Sequence, residues 1–347
     1  MVYPLRIFIS YSHEDTELAS RAAEILSGIG YVPIWDKHIR PGIAFTEEIK
    51  QLILHAHIFL PLITKNSASR PWVHQETGYA AALNIPILPV AIGAIPGEMV
   101  AQLQAVAVQP DLADLREKIT AINLEQIVLS PKGTFLQNVE ISDWPERRAE
   151  LLAQNCRIVA ELGNFGRVRQ RAALSSFSIP DKEVSDEIWD RRDGDFKRSP
   201  YYHNRLLEER LALEQHAREA GCSLIIDPDF CLERNGRTAT NVRLEILLQF
   251  LESMPDEKVS VVVSRQARSG NLTLVGDWFS AESVSPRAGE GHRQTVFTWH
   301  PPTVLGVMQK FDKQFGELAR IQGGDLLSSR QQVIKRIKEI LVEQKAQ

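Results

Sequence analysis

Five short apolar runs recur through the first third of the chain: LRIFISY (5–11), YVPIW (31–35), HIFLPLIT (57–64), IPILPVAI (85–92) and AVAV (105–108). Runs this short and this evenly apolar are buried on both faces, which is the habit of strands in a parallel sheet. Parallel neighbours need crossover connections, and the segments between the runs have helical spacing. Leu18, Ala22, Ile25 and Ile29 mark one helix, Phe45, Ile49, Leu52 and Ile53 a second, and the stretch around 72–83 a third. Ser12 with Asp15 three positions on has the form of a capping box at the start of the first helix, and Gly28 and Gly30 close it. The pattern predicts an α/β fold, a five-stranded parallel sheet covered by helices on both faces.

The 347 residues fit two domains. SPKG (130–133) has linker composition, and Asp143, Pro145 and Glu146 then mark a helix start. Further on, 202–220 reads as a charged helix, CSLIID (222–227) as a strand and RLEILLQFLESM (243–254) as an amphipathic helix. KVSVVVS, NLTLVGDWF and QTVFTWH read as strands, and two helices over about 303–321 and 328–344 follow. The expected division is a domain over 1–130, a linker over 131–145 and a second mixed α/β domain over 146–347.

Charge and cysteine content narrow the function. Lysine and arginine number 40 and aspartate and glutamate 44, a net charge of −4; residues 1–130 hold 9 basic and 13 acidic side chains, and the rest 31 of each. Neither part has the broad basic field that binding to a phosphate backbone needs, so nucleic acid is not an expected partner. Cys156, Cys222 and Cys231 are odd in number and far apart, which suits a reducing compartment. No stretch reaches the roughly 18 to 20 apolar residues of a membrane helix, and the N-terminus runs straight into a strand. A cytoplasmic protein with no membrane partner is expected. His55 and His57, two apart on a strand, share a face without carboxylate or cysteine beside them, so no metal is expected. There is no Walker loop, GxGxxG or GxSxG.

Three segments stand in the order and context of a Toll/interleukin-1 receptor (TIR) domain: RIFISYSHED (6–15), WDKHIRPGIAFTEEI (35–49), and WVHQE (72–76) followed by TGYAAAL. Residues 1–130 resemble that family. The resemblance implies a flavodoxin-like sheet of order 2-1-3-4-5 with its crevice at the carboxyl ends of the strands. Ser10 to Ser12 leave the first strand, Asp36 to Gly42 leave the second, and Trp72 to Glu76 follow the third. Many TIR domains only bind one another, whereas a subset cleaves NAD+ at the nicotinamide–ribose bond. This chain is similar to that subset in carrying a glutamate four residues after a tryptophan. The resemblance thus implies Glu76 as the catalytic residue, with Trp72, Tyr11, Ser12, Asp36, Arg40 and Phe45 as substrate contacts, and NAD+ as substrate with no cofactor. Tyr11 and Phe45 read equally well as packing residues, Trp72 as a packed aromatic and Arg40 as a solvated loop side chain. In catalytic members the loop matching 36–45 helps complete a neighbouring subunit's site, which implies self-association.

The chemistry stands without the family. On a helix, Trp72 and Glu76 project from one face and can meet one ligand. Nicotinamide bound to ribose is a cationic pyridinium that leaves neutral, so its departure needs no proton, and one carboxylate can do what glycosidases generally do with two. The second domain loosely resembles a phospholipase-D-like sensor module but lacks the HxKxxxxD pattern of active members, which favours ligand sensing or assembly over hydrolysis, with a small-molecule or protein trigger. TIR fusions of this kind resemble bacterial anti-phage proteins. Two other functions fit the same fold: a non-catalytic TIR scaffold, and a nucleoside deoxyribosyltransferase-like enzyme.

Overall fold

The computed structural model describes residues 4–35, 45–67, 71–94, 104–129, 139–142, 145–161, 166–172, 174–178, 200–264, 270–284, 294–321 and 326–345. The chain packs into two units, Met1–Asn138 with Trp299–Thr303, and Val139–Thr298 with Val304–Gln347.

In the first unit, strands β1 (Arg6–Ser10), β2 (Val32–Ile34), β3 (Ile58–Ile63), β4 (Val90–Ile92) and β5 (Val106–Val108) form one sheet of order β2-β1-β3-β4-β5, and every pairing is parallel. Helices α1 (Thr16–Gly28), α2 (Phe45–Leu54), α3 (Pro71–Ala82), α4 (Leu115–Thr120) and α5 (Leu124–Leu129) accompany it. The five-stranded parallel α/β fold is as the apolar runs predict. Every residue of β1 and of β3 is buried. Phe8 stacks on Phe59 across the two strands at 5.6 Å, and Ile49, Ile53, Ala80 and Ile85 close a core around them.

Two local readings are corrected. The face that α1 buries is Ala19, Ala22, Ala23 and Leu26, while Leu18 and Ile25 are half-buried. A 3-10 turn over His13–Asp15 precedes the helix, and three of the four residues that the helix buries are alanines, which a hydropathy stripe built on leucine and isoleucine does not single out. The Ser12/Asp15 pair is not a capping box. Ser12 caps the 3-10 turn, and the Asp15 side chain makes no cap hydrogen bond.

The amino end of β1 buries Arg6 completely, with His55 and His57 beside it. The Arg6 amide donates to Nδ1 of His57 at 2.9 Å, and its Nε donates to the His55 carbonyl at 2.6 Å. Burial, reinforced by the Arg6 charge, holds both imidazoles well below their ordinary range. Native and unfolded chains then bind equal protons above about pH 6.5, and below it the unfolded chain binds more. Stability should therefore be flat above that pH and fall on acidification by about 1.4 kcal/mol per pH unit for each histidine, until the native values are reached. Urea melts at pH 7.5 and 5.5 should differ by roughly 2 to 3 kcal/mol from this pair; equal midpoints would show that the imidazoles are not held neutral.

The second unit has a seven-stranded mixed sheet, order β6-β12-β11-β10-β7-β8-β9. Its strands are β6 (Val139–Ser142), β7 (Val168–Ala172), β8 (Cys222–Ile226), β9 (Val259–Val263), β10 (Leu272–Val275), β11 (Phe279–Val284) and β12 (Gln294–Thr298). The β7-β8-β9 part is parallel and the rest antiparallel. Helices α6 (Pro145–Glu161), α7 (Pro200–Ala220), α8 (Pro228–Ser253), α9 (Pro301–Ile321) and α10 (Leu326–Lys345) complete it. NLTLVGDWF, read as one strand, is two, because Gly276 at φ 55° turns the chain between β10 and β11. The helix read over 243–254 starts at Pro228 and kinks at Gly236, whose φ of 78° lies outside helical space. Strand β7, VRQRA, escapes a hydropathy reading because its charged side chains are paired: Arg169 grips Asp312 through two bonds of 2.7 and 2.9 Å.

A buried polar network joins four elements. Glu209 on α7, fully buried, receives both terminal nitrogens of Arg148 on α6, and Ser176 Oγ donates to it at 2.5 Å. Gln170 on β7 in turn donates to Ser176 at 2.7 Å. The three cysteines are buried and form no disulfide. Burial pushes the Cys222 thiol up to about 12 and raises that of Cys156 also. Among the described residues no helix is long and apolar enough to cross a membrane.

Candidate active site

An open parallel sheet binds ligands where its strand order reverses, outside the carboxyl ends of the strands. Here the chain runs from β1 outward to β2 and then returns to place β3 on the other side of β1, so the reversal lies between β1 and β3. Ser10 ends β1 in register with Pro61 of β3.

Helix α3 follows β3. Pro71 opens it, a residue suited to a first helical position because its missing N–H costs nothing there. Val73, Glu76, Thr77 and Ala80 are its buried residues, spaced as one face of a helix. That face carries Glu76, 6% exposed, whose Oε2 accepts a hydrogen bond of 2.5 Å from Ser10 Oγ. A carboxylate thus stands at the carboxyl end of β1, beside the reversal point. A buried carboxylate costs free energy unless it is hydrogen-bonded, and the Ser10 hydroxyl offsets part of that cost.

The other sequence-derived residues fall as follows. Trp72, on α3, is half-buried and packs against the Phe8 and Phe59 core cluster. Tyr11 is buried, with its ring 5.9 Å from Trp35 and 6.2 Å from His13, so the aromatic pair ties the exits of β1 and β2. Ser12 is buried and its Oγ accepts from the Glu14 amide at 3.4 Å. Asp36 and Arg40 lie outside the described residues. Phe45 is the first residue of α2, and its side chain also lies outside them.

Several participants were not legible in the sequence. Ser10 meets Glu76 across 66 positions. Asp15 accepts from Thr64 Oγ1 at 2.6 Å and from Asn66 Nδ2 at 2.7 Å, while Ser67 Oγ accepts from the Thr64 amide and donates to the Leu62 carbonyl. This network latches the exit of β1 to the exit of β3, the two loops that flank Glu76. Hydroxyls in a polar loop carry no pattern that announces such partners.

No curated protein matches the chain. Among solved structures, the TIR domains of the activated Roq1 resistosome, which directly recognises the pathogen effector XopQ, share 21% identity over 26% of this chain and 58% of theirs, at a TM-score of 0.24. The Clostridium botulinum CMP N-glycosidase BcmB shares 14% over 33% of this chain and 98% of its own, at 0.26. TrmBL2, an archaeal chromatin protein with a novel mode of DNA binding, shares 8% over 59% of this chain and 62% of its own, at 0.31. This chain therefore spans less than two thirds of the Roq1 and TrmBL2 chains. Residues 7–122 match the family model of the TIR domain. With the all-parallel β2-β1-β3-β4-β5 sheet beneath them, residues 7–122 of the first unit are a TIR domain.

Proposed function

We propose that the TIR domain cleaves NAD+ at the nicotinamide–ribose bond, releasing nicotinamide and ADP-ribose or a cyclic form of it. What supports this reading is one observation, the buried Glu76 carboxylate held by Ser10 beside the point where the sheet order reverses. The C1′–N bond breaks with its electron pair going to the pyridinium, which leaves as neutral nicotinamide. Positive charge develops on the ribose, and a fixed carboxylate in a desolvated site stabilises it without reorganising. Water, or a hydroxyl of the same molecule in the cyclic case, then attacks C1′ and gives up its proton to solvent. Glu76 orients the ribose hydroxyls and supplies the negative charge. Trp72, Tyr11, Ser12, Asp36, Arg40 and Phe45 make the remaining contacts.

The cell must hold such an activity in check, so the second unit serves as its regulator and self-association of the TIR domain as its switch, in a cytoplasmic protein of anti-phage defence. Purified protein incubated with NAD+ over a range of protein concentrations, with products identified by mass spectrometry, tests both claims. Nicotinamide release is expected, with specific activity rising as the protein assembles. Base exchange on deoxynucleosides would assign a deoxyribosyltransferase instead, and no turnover of either would leave a scaffold. Specific activity that stays constant while light scattering shows a monomer would remove the assembly switch.

A further inference from the structure

The second unit holds an open cavity of about 640 Å³, a size typical of small-molecule sites. It lies at the carboxyl edge of the parallel part of the sheet. Val263 and Ser264 reach it from the end of β9, Pro228 and Asp229 from the first turn of α8, and α9 and α10 form its walls. Strands β7, β8 and β9 run parallel into this edge, the position where an α/β sheet takes ligands.

The chemistry of the walls selects the ligand. Two exposed carboxylates line the cavity, Asp229 and Glu317, and among the described residues neither has an ion-pair partner. Among the described lining residues the one cation, Arg336, is engaged by Glu339 at 3.2 Å and Glu343 at 3.8 Å on its own helix. The described lining is thus net negative, and a dicarboxylate would meet repulsion from Asp229 and Glu317. Its apolar wall is aliphatic: Val263, Leu318, Val333 and Ile340, with Ile321 at the rim 81% exposed. Among the described lining residues there is no aromatic ring, so a sugar or a nucleobase finds no face to stack on. A methylene chain does find a surface that matches it, and an ammonium group finds acceptors in the two carboxylates and in the amide oxygen of Gln332. We propose that this cavity binds an aliphatic amine, a methylene chain carrying one or more ammonium groups.

The site stands whether or not the TIR domain cleaves NAD+, because the test reads binding alone. Isothermal titration of the full chain uses spermidine and 1,4-diaminobutane as probes, with 1,4-butanediol and succinate as neutral and anionic chains of matching length. Saturable one-to-one binding of at least one amine is expected, with no heat from the diol or the diacid. Asp229→Asn with Glu317→Gln should weaken the amine about tenfold, each exposed ion pair contributing a factor of a few. The charge-matched control Glu24→Gln with Glu117→Gln, two exposed carboxylates of the first unit, should bind like wild type. Absence of saturable amine binding, equal binding by the diol, or equal weakening in both double variants would each overturn the proposal.

Discussion

Glu76→Gln is expected to lower nicotinamide release from NAD+ by about 10²-fold or more while leaving the protein folded, since removing one preorganised electrostatic group from a transition-state site typically costs 10²–10³ in turnover. Glutamine keeps the shape of glutamate and can still accept from Ser10 Oγ through its amide oxygen, so the α3 contact is retained and only the charge is lost. The loss should appear in kcat more than in KM, because the charge is felt most strongly when the ribose becomes cationic. Ser10→Ala provides the contrast. It removes one hydrogen bond to the carboxylate but not its charge, and should reduce turnover less than Glu76→Gln does. Steady-state kinetics with product detection by mass spectrometry, beside thermal melts of each variant, checks the ordering. A Glu76→Gln protein that melts like wild type and turns over NAD+ at the wild-type rate would end the assignment of this residue.

The second large effect is on stability. Arg148→Met should destabilise the second unit by about 3–5 kcal/mol, because it strips the bidentate partner from a carboxylate with no exposure to water. That is a large share of the roughly 5–15 kcal/mol that holds a typical domain folded. The cost comes from the uncompensated charge on Glu209 rather than from the lost pair as such. The double replacement Arg148→Met with Glu209→Leu should therefore recover most of the loss, although Ser176 loses its acceptor. Denaturant melts of the two single variants and the double variant give the coupling directly. Single variants whose losses simply add in the double would mean that the pair does not act as a unit.

The first unit was legible for a physical reason. Its strands are buried on both faces, so β1 and β3 read as unbroken apolar runs, and the exits between them have the composition of polar loops. The second unit was less legible where burial is achieved by pairing rather than by hydropathy. Strand β7 carries Arg169 and Arg171 because Asp312 and Gln314 on α9 meet them across 143 positions, and no local pattern encodes that meeting. The α1 stripe kept Ala22 but otherwise lay one position off, because the face it buries is mostly alanine, which hydropathy marks weakly.

At the candidate site the division is the same. Spacing put Trp72 and Glu76 one turn apart on one helix, and the alternation of strands and helices put that helix after β3 of a parallel sheet. Hydropathy period and side-chain chemistry are properties of neighbours along the chain, so the sequence by itself determined them. Only the folded chain decided that the Glu76 carboxylate meets Ser10, that Asp15 serves Thr64 and Asn66 instead of its own helix, and that Trp72 packs on the core. Those hydrogen bonds join segments some 50 residues or more apart. Their geometry is set by the order in which parallel strands assemble, which no stretch of sequence states alone.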